Sequence, residues 1–421
     1  MNRPLNRHDY RTLALAALGG ALEFYDFVIY VFLAPVIGRL FFPADMPDWL
    51  RLLQTFGIFS AGYLARPLGG ILIAHFGDLL GRKRMFSLSI FLMAAPTLAI
   101  GLLPTYASIG IAAPVLLLLM RILQGIAIGG EVPGAWVFIA EHVPAQRFGF
   151  GIGTLTAGLT IGILLGSLLA GAINSIYSPE QVAAFAWRIP FIAGGLFGFV
   201  SVYLRRYLEE TPVFQELKAR RALAREVPIK TVLRDYRSET LLALALTWVL
   251  TAAIVVIILF TPSYLQQVFH VPARYALQAN TFATFTFAVG CLVFGWASDR
   301  FGARATMLVG FAGLLGSSYV FYSWLPSAPV ILNRTYGLVG FFVGAATVVP
   351  IVALRLFPAP LRFSGLSFSY NVSYAIFGGL TPVFLSLWLR TNPMAPGYYV
   401  GGLALFGMAL AMLPMSDSYK T

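Results

Sequence analysis

Hydrophobic positions along this chain fall into long unbroken runs, not into alternation or one-sided stripes. Twelve such runs recur at residues 13–41, 51–76, 85–103, 113–141, 149–176, 188–208, 240–267, 277–297, 305–324, 329–356, 363–389 and 397–414. About 20 apolar residues at a rise of about 1.5 Å each match a hydrocarbon core of about 30 Å. The pattern therefore predicts an all-α polytopic membrane protein with twelve transmembrane helices. A membrane β-barrel would show segments of about ten residues alternating apolar and polar, and the runs do not alternate. The first run is too long for a signal-peptide core and lacks a cleavage site, so it is expected to stay as a helix.

Composition agrees, with 58% hydrophobic and 11% charged residues where a soluble domain carries about 25% charged. Charge sets orientation. With the N-terminus in the cytoplasm, only Arg39, Arg51, Arg188, Arg274 and Arg390 fall outside and Arg66, Arg121 and Arg334 fall within helices, while the rest of the 29 basic residues lie inside. Both termini are thus expected in the cytoplasm of a bacterial-type inner membrane. The net charge of +12 then needs no nucleic acid, because topology and lipid headgroups account for it. Cys291 is alone and reads as a small packing residue. The four histidines make no metal-ligand cluster, and no cofactor motif is present.

One charge-dense stretch, "RRYLEETPVFQELKARRALAREVPIKTVLRDYRSE" (205–239), divides the chain. It predicts two six-helix bundles, residues 1–208 and 240–421, joined by a cytoplasmic linker at 209–239. The halves echo each other: "GDLLGRKR" (77–84) follows the second run and "SDRFGARA" (298–305) the eighth. Two related bundles suggest a transporter with a central site between them. An integral-membrane enzyme would need a nucleophile, base or metal constellation. Neither H-E-x-x-H nor a nucleophile elbow occurs, so no enzyme is expected.

These motifs resemble the major facilitator superfamily, whose loop signature is matched by Asp78, Gly81 and Arg82. More narrowly, "LEFYDF", "GYLARPLGG", "RILQGIAIGGE", "WRIPF", "ETPVF" and "LFPAPLRFSGLSFSYN" resemble the metabolite:proton symporters, which include citrate, 2-oxoglutarate, shikimate and proline/betaine porters. The resemblance implies the major facilitator fold and proton-coupled uptake of a small molecule; a monomer is expected. Substrate does not follow from it. There are departures: Ala74 and Leu79 in the loop signature, Val132-Pro133 where the family tends to an aromatic and Gly, Ala303 after Gly302, and Arg355 where it tends to Glu. Pro133 should loosen the backbone hydrogen bonding of its helix.

Charges inside the runs are the candidate chemistry. Gly19, Glu23, Asp26 and Tyr30 share one stripe of the first helix. A mid-membrane charge costs about 2.5 to 3.5 kcal/mol, so the two acids should face the protein interior, be paired or be protonated. The resemblance implies a proton-coupled pair of Asp26 with Arg121, Glu23 being the alternative proton site and a purely structural ion pair the alternative role. Arg66, flanked by Gly62, Gly69 and Gly70, can hold a carboxylate through two parallel hydrogen bonds. Gln124 lies one turn from Arg121, and Asn280, Tyr370, Asn371 and Tyr374 are uncharged groups that could face the same cavity. For the cytoplasmic gate, the resemblance makes Glu141 a partner of Arg82 and Arg147 beside Asp78. In the second half, a direct Arg355–Asp299 pair is inferred, the alternative being that Arg355 only sits at the headgroups under the positive-inside bias. The expected activity is proton-driven import of a small organic anion, a di- or tricarboxylate, by alternating access. The alternative is a zwitterionic osmolyte such as proline or betaine.

Overall fold

The computed structural model describes residues 7–80, 82–129, 131–204, 228–325 and 329–413. The regular secondary structure among these residues is helical, with no strand. In the first half the longer helices are α1 (Arg7–Phe32), α2 (Ala34–Phe41), α3 (Asp48–Leu80), α4 (Arg82–Leu102), α5 (Ala112–Ile128), α6 (Glu131–His142), α7 (Phe148–Ile176) and α8 (Arg188–Leu204). In the second they are α9 (Arg237–Ile254), α10 (Thr261–Val268), α11 (Ala273–Phe301), α12 (Ala303–Trp324), α13 (Pro329–Val343), α14 (Val348–Leu356), α15 (Ala359–Ser373), α16 (Gly379–Trp388) and α17 (Ala395–Met412).

Among the described residues, seven helical segments are long and apolar enough to cross a membrane, or nine if each of two bent pairs counts as one. The other three predicted runs are helical as well, as α3, α4 and α15–α16. α3 carries Arg66 and α15 carries Ser364, Ser367, Ser369 and Asn371, which dilutes their apolar content. Outward-facing stripes are apolar: Ile161, Leu165 and Leu168 on α7, and Phe282, Phe285, Val289 and Trp296 on α11 are exposed at helical spacing. Such a surface suits lipid and not water.

Proline explains where the helices break. It returns no amide bond to the carbonyl four residues earlier, and its ring crowds that carbonyl. Pro190, Pro262 and Pro382 are each preceded by a π-helical turn, at Val182–Ala186, Val255–Phe260 and Tyr374–Gly378, and Pro350 by a 3₁₀ turn at Gly344–Thr347. α1 and α2 bend by 62° around Leu33, two residues before Pro35. Pro133 sits in a span that runs from Ala112 to Val137, and the carbonyl its missing amide leaves free is that of Gly129. Pro67 and Pro96, by contrast, sit inside helices that continue through them.

Packing partners repeat between the halves. α1 lies along α7, α3 along α5 and α4 along α8, and in the second half α9 lies along α15, α11 along α13 and α12 along α17. The halves meet where α7 runs against α11 and where α3 runs against α15, α16 and the π turn between them. Small residues allow the closest crossings. A methyl on Gly153 would come 2.6 Å from the Cys291 carbonyl, and one on Gly125 would collide with the Gly62 carbonyl. Cys291 is fully buried at the α7–α11 crossing, in the packing role its sequence context suggests.

Candidate substrate and proton site

The Gly62–Gly125 crossing lies one helical turn from both Arg66 on α3 and Arg121 on α5, so a very close backbone approach sits beside two intramembrane cations. Both side chains are fully buried. Arg121 donates from Nη1 to Gln124 Oε1 at 2.8 Å and to the Phe27 carbonyl at 3.1 Å. Its guanidinium carbon stands 4.1 Å from the Phe27 ring centre, 4.6 Å from Tyr30 and 5.4 Å from Phe59. Nε and Nη2 of Arg121 have no hydrogen-bond acceptor. Gln124 passes the contact on, donating from Nε2 to Thr97 Oγ1 at 2.7 Å.

Arg66 is more extreme. None of its three nitrogens has an acceptor, and its guanidinium is surrounded instead by the rings of Tyr374 at 4.4 Å, Tyr370 at 5.2 Å and Tyr63 at 5.5 Å. A desolvated cation over an aromatic face recovers about 2 kcal/mol per face, whereas an unpaired buried charge costs several kcal/mol. The rings therefore offset part of the cost and leave the N–H groups open to an anion. Tyr63 also meets Phe59 at 4.7 Å, Phe27 at 4.9 Å and Tyr374 at 5.7 Å, making one aromatic wall between the two arginines. Of this wall the sequence reading had selected only Tyr30, Tyr370 and Tyr374. Phe27, Phe59 and Tyr63 were missed, although Tyr63 lies one turn before Arg66 in "GYLARPLGG".

Asp26 is buried, but it makes no ion pair with Arg121. This corrects the expected contact. Successive helix residues point about 100° apart, and it is Phe27 and Tyr30 that face Arg121. The Asp26 carboxylate lies instead against α8, where a methyl on Gly194 would collide with Oδ1 and one on Gly198 would lie 3.5 Å from Oδ2. The same Gly194 methyl would come 3.2 Å from Thr97 Cγ2, so Asp26 and the Arg121–Gln124–Thr97 chain border one glycine notch. Tyr30 donates its hydroxyl to the Thr55 carbonyl at 2.9 Å. The side chain of Glu23 lies outside the described residues.

Two candidates serve the seam between the halves. Asn280 donates to Ser167 at 3.1 Å across the α7–α11 contact and accepts from Tyr336 at 2.6 Å. Asn371 donates to the Gly129 carbonyl. That carbonyl is the one Pro133 cannot bond, so a side chain of the second half caps a carbonyl that a proline of the first half sets free. Arg188 of "WRIPF" has a structural task, donating to the Gly101 and Leu103 carbonyls at the end of α4, both at 2.8 Å.

At the end expected to face the cytoplasm, Asp299 accepts from the Gly149 and Phe150 amides at 2.6 and 2.8 Å, at the N-terminus of α7. A carboxylate there meets unpaired amides and the positive end of the helix dipole. The inferred direct Arg355–Asp299 ion pair is not formed: the carboxylate's close partners are the two amides, and Arg355 acts on it only through its charge at longer range. Arg355 lies over the Phe148 ring at 5.4 Å, and Arg147 is exposed. The side chains of Asp78, Arg82 and Glu141 lie outside the described residues. Arg334 is exposed, away from the two buried arginines.

Residues 16–382 match the Major Facilitator Superfamily. The chain belongs to that superfamily. It is 33% identical over 422 residues to a putative proline/betaine transporter of Staphylococcus aureus strain COL, covering 98% of this chain and 89% of that one. It is 32% identical to the proline/betaine transporters of Salmonella typhimurium LT2 and Escherichia coli K12, in each case over 94% of this chain and 82% of the relative. Among solved structures it shares its fold with the proton:xylose symporter XylE bound to 6-bromo-6-deoxy-D-glucose, at a TM-score of 0.76, 14% identity and coverage of 97% and 95%. A partially occluded inward-open form of E. coli XylE gives 0.77, 14%, 98% and 99%. The protein is therefore a multi-pass membrane transporter of a small molecule, with the twelve-helix major facilitator fold.

Proposed function

We propose that this transporter imports a zwitterionic osmolyte of the proline or betaine type together with protons, across a bacterial inner membrane and as a monomer. The observation that carries the reading is Arg66, whose unpaired guanidinium sits among three tyrosine rings. This is one carboxylate-binding group beside faces that attract cations, which suits a ligand carrying one charge of each sign. A di- or tricarboxylate fits less well, because its further negative charges would meet the negative faces of the same rings. The names of the relatives support the zwitterion in the same direction.

Asp26 is the proposed proton carrier, with Glu23 as the alternative. In its protonated form Asp26 rests in the Gly194–Gly198 notch and leaves Arg121 free to share the substrate carboxylate with Arg66. Movement of residues 1–208 against residues 240–421, joined by the cytoplasmic linker, then opens the site inward. Asp26 loses its proton, the ionised carboxylate needs a counter-ion, and Arg121 turns to it and releases the substrate. A zwitterion moved with one proton carries a net positive charge, so the membrane potential adds about 2.3 kcal/mol per 100 mV.

Thermal unfolding of the purified protein tests the substrate class, since a ligand that binds the folded state stabilises it with the logarithm of its saturation. Proline or betaine should raise the midpoint. Stabilisation by citrate or 2-oxoglutarate, with none by either zwitterion, would overturn the reading.

A further inference from the structure

Within this zwitterion reading, we propose that Tyr63, Tyr370 and Tyr374 form a quaternary-ammonium subsite that Arg66 itself fills while substrate is absent. Among the described residues the rings of these three tyrosines surround this guanidinium, which is fully buried with no well-formed hydrogen bond from any nitrogen, the Tyr370 side chain being near enough to interact with it. A cation held against several aromatic rings occupies the place a ligand cation would take. The rings are built as a unit: Tyr370 and Tyr374 lie 4.4 Å apart, Tyr63 stacks on Tyr374 at 15° between planes, and Trp136 braces Tyr370 edge-on at 5.1 Å. Tyr374 opens the π turn ahead of Pro382, so an irregular turn aims it at the cage.

Arrival of the substrate carboxylate gives the Arg66 N–H groups the acceptors they lack and draws the guanidinium away from the rings. The ammonium end of the same molecule then takes the vacated faces. A fully methylated nitrogen is the best replacement, because it has no N–H to satisfy where aromatic faces offer no strong acceptor. A secondary ammonium such as that of proline leaves its N–H groups under-bonded there. Tyr63 belongs to the first half and Tyr370 and Tyr374 to the second, so the cage is complete only when the halves close. Occupancy by the ligand therefore favours the closed state, and Arg66 keeps the empty cage from collapsing.

The experiment compares binding of glycine, N-methylglycine, N,N-dimethylglycine and betaine to the intact protein by displacement of radiolabelled proline. Affinity should climb with each methyl, by about tenfold or more across the series. The climb should persist in Tyr374→Phe, which keeps the ring face, and flatten in Tyr374→Leu and Tyr63→Leu. Two leucine variants on different helices keep the test decisive if one fails to fold. A flat series in the native protein, or an unaltered climb in a folded leucine variant, would overturn the cage while leaving zwitterion transport standing. Absence of any proline or betaine binding by the native protein would instead overturn the substrate reading on which the cage rests.

Discussion

Gly194→Ala tests the proton step at its most constrained point. The added methyl would collide with Asp26 Oδ1 and stand 2.8 Å from Tyr25 Cε1 and 3.2 Å from Thr97 Cγ2, so three neighbours on α1 and α4 resist it at once. Tyr25 has little freedom to move, since its hydroxyl is bonded to the Pro190 carbonyl at 2.9 Å. The Asp26 carboxyl is then the group that yields, leaving the notch for Arg121 and competing there with substrate. Overpacking of a buried site costs about 1 to 3 kcal/mol. If most of that falls on the notch-bound form, substrate affinity should drop by about 5- to 150-fold. Displacement of radiolabelled proline measures the drop. Adding Asp26→Ala removes both the clash and the competitor, so the double variant should regain most of the lost affinity. An unchanged affinity in Gly194→Ala, or no recovery in the double variant, would refute the notch as the resting place of the protonated acid.

Three further outcomes follow from the same geometry. Asp26→Asn should abolish uphill uptake driven by a pH gradient while substrate exchange across vesicles continues, because a permanently neutral side chain mimics the loaded state; accumulation by this variant would move the proton site to another acid such as Glu23. Asp299→Asn should weaken the seal at the start of α7 by about 1.5 to 3 kcal/mol and raise labelling of a cysteine placed at the cytoplasmic mouth, in a background lacking Cys291, whereas Arg355→Ala, which loses a ring contact and a longer-range attraction to Asp299 but leaves both amide bonds in place, should change labelling much less. Pro133→Ala supplies an amide to the Gly129 carbonyl and so competes with Asn371; labelling at the cytoplasmic mouth should rise in this variant, and an unchanged level would mean that the Asn371 bond does not hold the halves together.

Much of the architecture was legible in the chain. The length of the apolar runs locates the helices, whereas a proline alone does not locate the breaks: irregular turns precede prolines 190, 262, 350 and 382, but the helices run through Pro67 and Pro96, so packing decides which missing amide opens a turn. Arg66 and Arg121 stood out, since a charge in an apolar run must be accounted for by its surroundings. Direction was harder. Asp26 and Phe27 differ by one residue and about 100° of helix, and only the packing of α1 against α8 decides which of them meets Arg121. The aromatic wall was hidden by composition, because Phe and Tyr inside an apolar run look the same whether they face lipid or a guanidinium. Asp299 was misread because side-chain pairing by charge overlooks backbone amides, which have no residue type to announce them.

The central claim is that a zwitterion and a proton cross together, and electrical recording of substrate-induced current with radiolabelled accumulation in the same proteoliposomes tests it most directly. With an inward proton gradient, proline or betaine should accumulate above its external concentration, each addition should carry positive charge inward, and both signals should vanish in Asp26→Asn. Accumulation without inward charge movement, or equal accumulation with the proton gradient collapsed, would contradict the account.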